Sequence, residues 1–416
     1  MLDVAKIRHQ FPALNDKSVF LDNPGGTQTV KYCLDRIFEY LIECNANHNG
    51  AFKTSRESDA IIQKARSATA EFLNAGGPDE IIFGQNMTSL TFHLSRSLAR
   101  RLQPGDDIVL TRLDHDANIT PWLLIAEERG CRVRWVDFRP EDGTLDAESL
   151  KEALSGRPRL VAVGYASNAL GTINPVAEIV KLSHQAGALV FVDAVHFAPH
   201  GPIDVLDLGC DFLACSAYKF FGPHLGILYG RAGLLEELFA YKVRPASDHI
   251  PGKFETGTQN HEGIAGLLGT LEYLEWTGLH FGVEYAADLG KRYQEKALHL
   301  KQAMAAFGAH ERELGRALLT ALKETPGAHI YGLADESRLA ERVPTFSFRM
   351  EGLTPRQVAE KLDAEGICVW DGNYYALEVT RRLGVEETGG MVRAGAVHYN
   401  TLEEIARFGA ALQKMK

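Results

Sequence analysis

Residues 188–230 read "ALVFVDAVHFAPHGPIDVLDLGCDFLACSAYKFFGPHLGILYG". Three apolar runs stand out in it: "ALVFVDA", "DFLACSA" and "GILYG". None alternates apolar with polar residues, so each reads as a strand buried on both faces. Similar runs lie upstream ("EIIFG", "DIVLTRL", "RVRWVDF", "RLVAVGY") with helical segments between them. That alternation predicts a mainly parallel sheet flanked by helices, an α/β fold. One residue in the stretch stands apart. Lys219 sits among Tyr218, Phe220 and Phe221, with little local company for its charge. Its immediate neighbours leave open whether it is a snorkelling surface lysine or an amine kept for covalent chemistry.

Outward from this stretch the pattern changes. After about residue 260 a Gly/Leu/Glu-rich helical stretch (261–280) leads into further helices. Fewer strands follow ("PTFSFRM", "GICVWDG", "VRAGAVHY"), and a last helix is expected over 402–414. At 416 residues the chain is too long for one small core. The expected division is a large domain, 15–260, and a smaller α+β domain, 261–416, with residues 1–14 packed against the latter. A formal net charge of −10 without Lys/Arg runs argues against nucleic-acid or anionic-membrane partners. No stretch has the length of a membrane span, and residues 1–14 lack a signal-peptide core. The six cysteines have no CxxC spacing and read as reduced thiols, so a cytoplasmic location is expected.

In open α/β sheets ligands bind outside the carboxyl ends of the strands. The polar residues there are Asn86-Met87-Thr88, Asp114-His115-Asp116, Ser167-Asn168, Asp193 with His196, and Ser216 to Lys219. Singly, each has a dull explanation: a strand-end Asp is commonly a helix cap, and a strand-end Lys is commonly solvated. Neither "DHD" nor the pair His196 and His200 has metal-ligand spacing, so no metal is expected. Together they put an imidazole, a buried carboxylate, an amide, hydroxyls and a lysine on one edge.

That set, in that order, resembles the fold-type-I pyridoxal-phosphate enzymes, specifically aminotransferase class V and its cysteine-desulfurase-like branch. The resemblance covers nearly the whole chain, from "IRHQFPAL" and "VFLDNPGGTQ" to "VRAGAVHYNTLEEI". It is most specific in "LDHDANITPW", "ASNALGTINPV", "VFVDAVH", "SAYK" and "FETGTQN". It implies pyridoxal 5'-phosphate as cofactor, with Lys219 as the Schiff-base lysine. Asp193 would face the pyridine nitrogen, His115 would stack on the ring, and Asn168 and His196 would lie near its 3-oxygen. Asn86, Met87, Thr88, Ser216 and Tyr218 would serve the phosphate. Thr258, beside Gly257, would contact the phosphate of a neighbouring subunit, which implies a homodimer with shared active sites. Arg393 would bind the carboxylate of a small amino-acid substrate, with Asn23 and the turn after it close by. Arg56, His249 and Tyr374 are weaker candidates for substrate recognition. The residue types suit the chemistry. An amine buried among aromatics is kept neutral and nucleophilic, and an imidazole can shuttle protons near neutral pH.

Departures from the family pattern carry further information. Tyr218 replaces the common His before the lysine, and His196 stands where desulfurases have Gln. In "VWDGNYYALE", 369–378, alignment sets Tyr375 where desulfurases carry their persulfide-forming cysteine. The nearest thiol, Cys368, lies in an apolar run and reads as a core residue. A β-eliminating C–S lyase is therefore the expected activity. Class V aminotransferase, epimerase or racemase, true desulfurase and non-catalytic binding protein are the alternatives.

Overall fold

The computed structural model describes residues 2–14 and 18–415. After a short β1 (Val19–Phe20), the chain builds β2 (Ile81–Gly84), β3 (Asp107–Thr111), β4 (Arg132–Val136), β5 (Pro158–Gly164), β6 (Leu189–Asp193), β7 (Phe212–Ser216) and β8 (Gly226–Gly230). These last seven form one sheet in the order β2-β8-β7-β6-β5-β3-β4. β3 to β7 run parallel, and β8 is antiparallel to both its neighbours. β3, β7 and β8 are buried at every position, as strands with apolar centres covered on both faces are. Alternate residues face two separate cores. Val190, Val192, Leu213 and Cys215 pack with the helices Lys53–Leu73 and Val176–Gln185 on one side. Phe191, Phe212 and Ala214 pack with Met87–Ala99 and Thr120–Arg129 on the other. This is the three-layer α/β arrangement that the strand–helix alternation predicts.

The second sheet is antiparallel, in the order β12-β13-β10-β9, from β9 (Ala328–Tyr331), β10 (Thr345–Met350), β12 (Trp370–Gly372) and β13 (Met391–Gly395). β11 (Ile367–Cys368) pairs parallel with β1 instead. The run "GICVWDG" is thus two strands with different partners, not one. β13 ends at Gly395, so "VHY" leaves the sheet, and Val397 and Tyr399 join the core under the large sheet. β9 and the helix Pro355–Ala364, with its Thr354/Gln357 capping box, went unread in the sequence. The helix Glu295–Lys323 serves both halves. Its Leu300, Met304 and Phe307 pack under the large sheet, and its Leu314, Leu318 and Leu322 against the small one. Phe11 lies 4.8 Å from the Tyr399 ring, and Arg8 pairs with Glu404 at 2.9 Å. The expected domain boundary at residue 15 lies outside the described residues. None of the described helices is long and apolar enough to cross a membrane.

Candidate active site

A cavity of about 550 Å³ opens at the carboxyl ends of β3, β5, β6 and β7. Parallel register brings its inner wall together: Asp193 ends β6, Ser216 ends β7, Lys219 follows three residues on, and Asn168 and His115 lie just past β5 and β3. Met87 and Thr88 enter it from the first turn of Met87–Ala99, whose N-cap is the Asn86 side chain accepting from Ser89 N at 2.8 Å. That turn presents backbone N–H groups with no partner inside the helix. Gly226 makes the close approach possible, because a Cβ there would fall 2.4 Å from the Asn86 carbonyl carbon.

Lys219 Nζ donates to the carbonyls of Pro24 and Gly25, the latter at 2.9 Å. Burial, then the Arg393 charge, draws its pKa down to about 7, against an opposing pull from Asp22 and Asp193. The amine is therefore substantially neutral at physiological pH. Asp193 accepts from Val195 N at 2.9 Å, yet burial lifts its carboxyl to about 6. Asp114, bonded to Thr111, Gly164 N and Asn118 in the floor behind, is lifted to about 7 by the same desolvation. His115 accepts from Ala117 N through Nδ1 at 3.0 Å, and burial, with Lys219 and Arg393 adding to it, lowers its pKa to about 4. That shift disfavours the imidazolium form on which the expected proton shuttle near neutral pH would draw. The imidazole stays neutral and carries its proton on Nε2.

The outer wall comes from the small sheet. Arg393 of β13 donates to Asn168 O at 3.0 Å, pairs with Asp22 at 3.3 Å and lies 4.5 Å from the Tyr374 ring. Burial pulls the guanidinium pKa down, and Asp22 opposes it. Asp22 is itself pushed up, its desolvation outweighing the pair. After β12 the chain forms a strap over the cavity. Tyr374 and Tyr375 both hold positive φ, 56° and 58°, a conformation costing non-glycine residues about 1–3 kcal/mol each. Three contacts keep it there. Asn168 donates to Tyr374 O at 2.9 Å, Asp116 N donates to Tyr375 O at 2.7 Å, and the Tyr375 ring stacks on His115 at 5.6 Å.

The donor set fits pyridoxal phosphate. Asn168 Oδ1 and Arg393 Nε are buried with no partner among the described residues, so the amide and the guanidinium each keep unused capacity beside the cavity. Asp193, lifted by burial, gains from a cationic neighbour such as a protonated ring nitrogen. His196 lines the cavity with Nε2 bonded to Thr345 Oγ1 at 3.1 Å, and burial keeps it neutral.

Other expected contacts are not brought in. Asn23 is corrected. Its amide donates to Gly395 O at 2.7 Å and to Asn400 Oδ1, its oxygen accepts from Tyr399, and the cavity is lined by Asp22, Pro24 and Gly25 instead. Arg56 bonds Ala51 O on the surface, and neither it nor His249 reaches the cavity. Asn86 acts through its cap rather than by lining the cavity. Thr258 is exposed and also away from it. Sequence reasoning missed Asp22 and Trp370. The first closes "VFLD" as a strand-end carboxylate, a signal of the kind that marked Asp193. The second gave no signal, because its place depends on its pairing with β13.

The aminotransferase class-V family model matches residues 19–303 and 292–408. The chain is 35% identical to the aminotransferase-like protein FGM3 of Gibberella zeae, over 99% of this chain and 98% of that one. It is 33% identical to a probable cysteine desulfurase of Streptomyces coelicolor, over 97% and 95%. Among solved structures, the apo cysteine desulfurase of Thermococcus onnurineus superposes with a TM-score of 0.87 at 27% identity, covering 100% of this chain and 98% of that one.

Proposed function

Since the chain belongs to the aminotransferase class-V family, a family of pyridoxal-phosphate enzymes, we propose that it breaks the Cβ–S bond of a cysteine-derived amino acid and releases the sulfur as a free thiol. One observation carries this reading: the strap position facing the cavity is Tyr375, and none of the six cysteines lines the cavity among the described residues. A relative is named as a probable cysteine desulfurase, and this chain has no thiol lining the cavity to receive sulfur.

When bound, the cofactor supplies an electron sink for charge developing at the substrate's Cα. Lys219 is the residue that holds it covalently. Asp193 provides the anion for its ring nitrogen, His115 a flat neutral face, and Asn168 and His196 polar groups for its ring oxygen. The first-turn amides of Met87 and Thr88, with the Ser216 and Tyr218 hydroxyls, take the phosphate. Arg393 orients the substrate through its α-carboxylate, for which a planar fork is suited. Lys219 Nζ, free once the substrate's own amine has taken its place, would be neutral enough at its lowered pKa to take the Cα proton and return it to the departing sulfur. The balance is one cysteine conjugate and one water to one thiol, pyruvate and ammonium.

Thr258 belongs to the site of a second copy in this reading. Self-association is supported by the helix Lys31–Glu43, which exposes Leu34, Phe38, Leu41 and Ile42 by 44–68% along one stripe. Light scattering should give a dimer mass.

Transamination is the second reading, favoured by the similarity to FGM3. Incubating the purified protein with cysteine derivatives, with and without a 2-oxo acid, separates the two. Elimination yields thiol and pyruvate without the acceptor. Amino transfer that needs the acceptor, with no thiol released, would overturn the proposal.

A further inference from the structure

The reading of Lys219 and Arg393 just given, on which this inference rests, fixes the substrate's Cα and carboxylate and leaves its side chain to the outer rim of the cavity. That rim is aromatic. Trp370 lies directly opposite Arg393 in the antiparallel β12–β13 pair. Opposed residues project from the same face of a sheet with Cβ atoms about 4.5–5.5 Å apart. Both residues line the cavity, so a substrate held at Arg393 by its carboxylate has Trp370 as part of the surrounding wall. Tyr375 closes the other side from its stack on His115, and Phe92 adds a third ring. Trp370 and Tyr375 are nonetheless 55% and 74% exposed. Two large rings facing a cavity gain by burial against an apolar group.

Charge points the same way. Lys219 and Arg393 are the only lysine and arginine among the described lining residues, and both are committed. A second carboxylate on the substrate would find no cationic partner left there, only the carboxyl groups of Asp22, Asp114, Asp116 and Asp193. A cationic side chain fares little better, because burial favours the neutral forms of Asp114 and Asp193 and the other two carboxylates already have partners. Asp22 is paired with Arg393. Asp114 accepts from Thr111 and Asn118, Asp116 from Thr120 at 2.6 Å, and Asp193 from Val195 N. The strained geometry of the strap at Tyr374 and Tyr375 fits a clamp on a ligand rather than an incidental loop.

We propose that the cavity selects a cysteine conjugate whose sulfur carries an uncharged apolar group, aromatic or branched aliphatic, packed between Trp370 and Tyr375. Trp370 and Tyr375 are then specificity residues, not participants in proton transfer. The test is titration of the holoenzyme's visible band with S-benzyl-, S-carboxymethyl- and S-(2-aminoethyl)-L-cysteine, with L-alanine as an amino-acid ligand too short to reach the rim. S-benzylcysteine should half-saturate the change at a concentration about tenfold or more below either charged analogue, and Trp370→Ala should remove roughly tenfold of that preference. Tyr375→Ser should remove less. Both positions are exposed, and an unaltered band and melting temperature before ligand addition verify that the variants are intact. A charged analogue binding as tightly as the benzyl one overturns the inference, as does a preference unchanged in both variants. A band that no amino acid perturbs, alanine included, while borohydride still fixes the cofactor, removes the amino-acid reading itself and this inference with it. A response to alanine and the charged analogues but not to S-benzylcysteine removes only this inference.

Discussion

The two walls of the cavity are assembled in different ways. The inner wall collects Asp193, Ser216 and Lys219 from residues 193–219, at the ends of adjacent parallel strands whose register sets Asp193 opposite Ala214. Its geometry follows from local strand pairing. The outer wall takes Arg393, Trp370 and Tyr375 from another sheet and ties them in by long-range contacts, such as Asn168 to Tyr374 across 206 positions. In the proposed reading the inner wall holds the cofactor, and the outer wall determines what is brought to it. On this division, the strap that carries Tyr375 can change without disturbing the inner wall.

The sharpest way to break this contrast is to remove the inner wall's amine. Lys219→Ala should abolish both turnover and the borohydride-reducible visible band, with far-ultraviolet circular dichroism unchanged. Normal activity in that variant would remove the inner wall's assigned role altogether. Next in size is Asp193→Asn. An amide oxygen can still accept from Val195 N, so the geometry should survive while the anion is lost. Turnover should fall roughly 10²-fold or more, since each tenfold is about 1.4 kcal/mol of transition-state stabilisation. Equal rates for the two proteins would show that no charge develops against Asp193.

The same contrast explains how much was legible in the sequence. Unbroken apolar runs such as "DFLACSA" announced buried strands, and polar residues at their ends announced the inner wall. The residue types at 115, 168, 193 and 219 stand out in one chain, and all four line the cavity. Asn23 was misjudged because a buried amide that ties a turn to Gly395 looks, in sequence, like one kept for a ligand. "GICVWDG" was misjudged because a long apolar run cannot reveal that its halves pair with β1 and β13 respectively. The neutrality of His115 was hidden for a related reason. Its cause is burial beside Lys219 and Arg393, and Arg393 comes from the far wall.

A coupling across the walls gives a smaller, pH-dependent effect. Lys219 is lowered to about 7 chiefly by burial and then by Arg393. A lowered pKa means that the neutral, reactive amine predominates above that pH. Covalent capture of pyridoxal phosphate by the cofactor-free protein, followed by growth of the visible band, should thus be fastest above pH 7. Below it the rate should fall about tenfold per unit as the amine protonates. In Arg393→Gln the loss of a nearby cation should move the midpoint upward. A midpoint unmoved by that variant would mean the outer wall exerts no electrostatic influence on the inner one.

The smallest effect tests whether the strap's neighbourhood hides a thiol chemistry of its own. Cys368 pairs with Phe20 in the short β1–β11 ladder and is half-buried, less enclosed than a core position. Desolvation raises its thiol pKa, with Asp363 and Asp22 adding to it, so the thiolate that would attack sulfur is disfavoured there. Cys368→Ser exchanges a weakly polar group for a hydroxyl at a partly wet site, so its stability cost should sit at the low end, about 1 kcal/mol. Turnover per folded molecule should barely change, and no protein-bound persulfide should form with cysteine, the sulfur appearing as free sulfide. A stoichiometric persulfide on Cys368, lost together with activity in the serine variant, would break the comparison at its root. The outer wall would then supply a nucleophile as well as a substrate clamp, and the chain would be a desulfurase working from a position that β11, rather than the strap, holds in place.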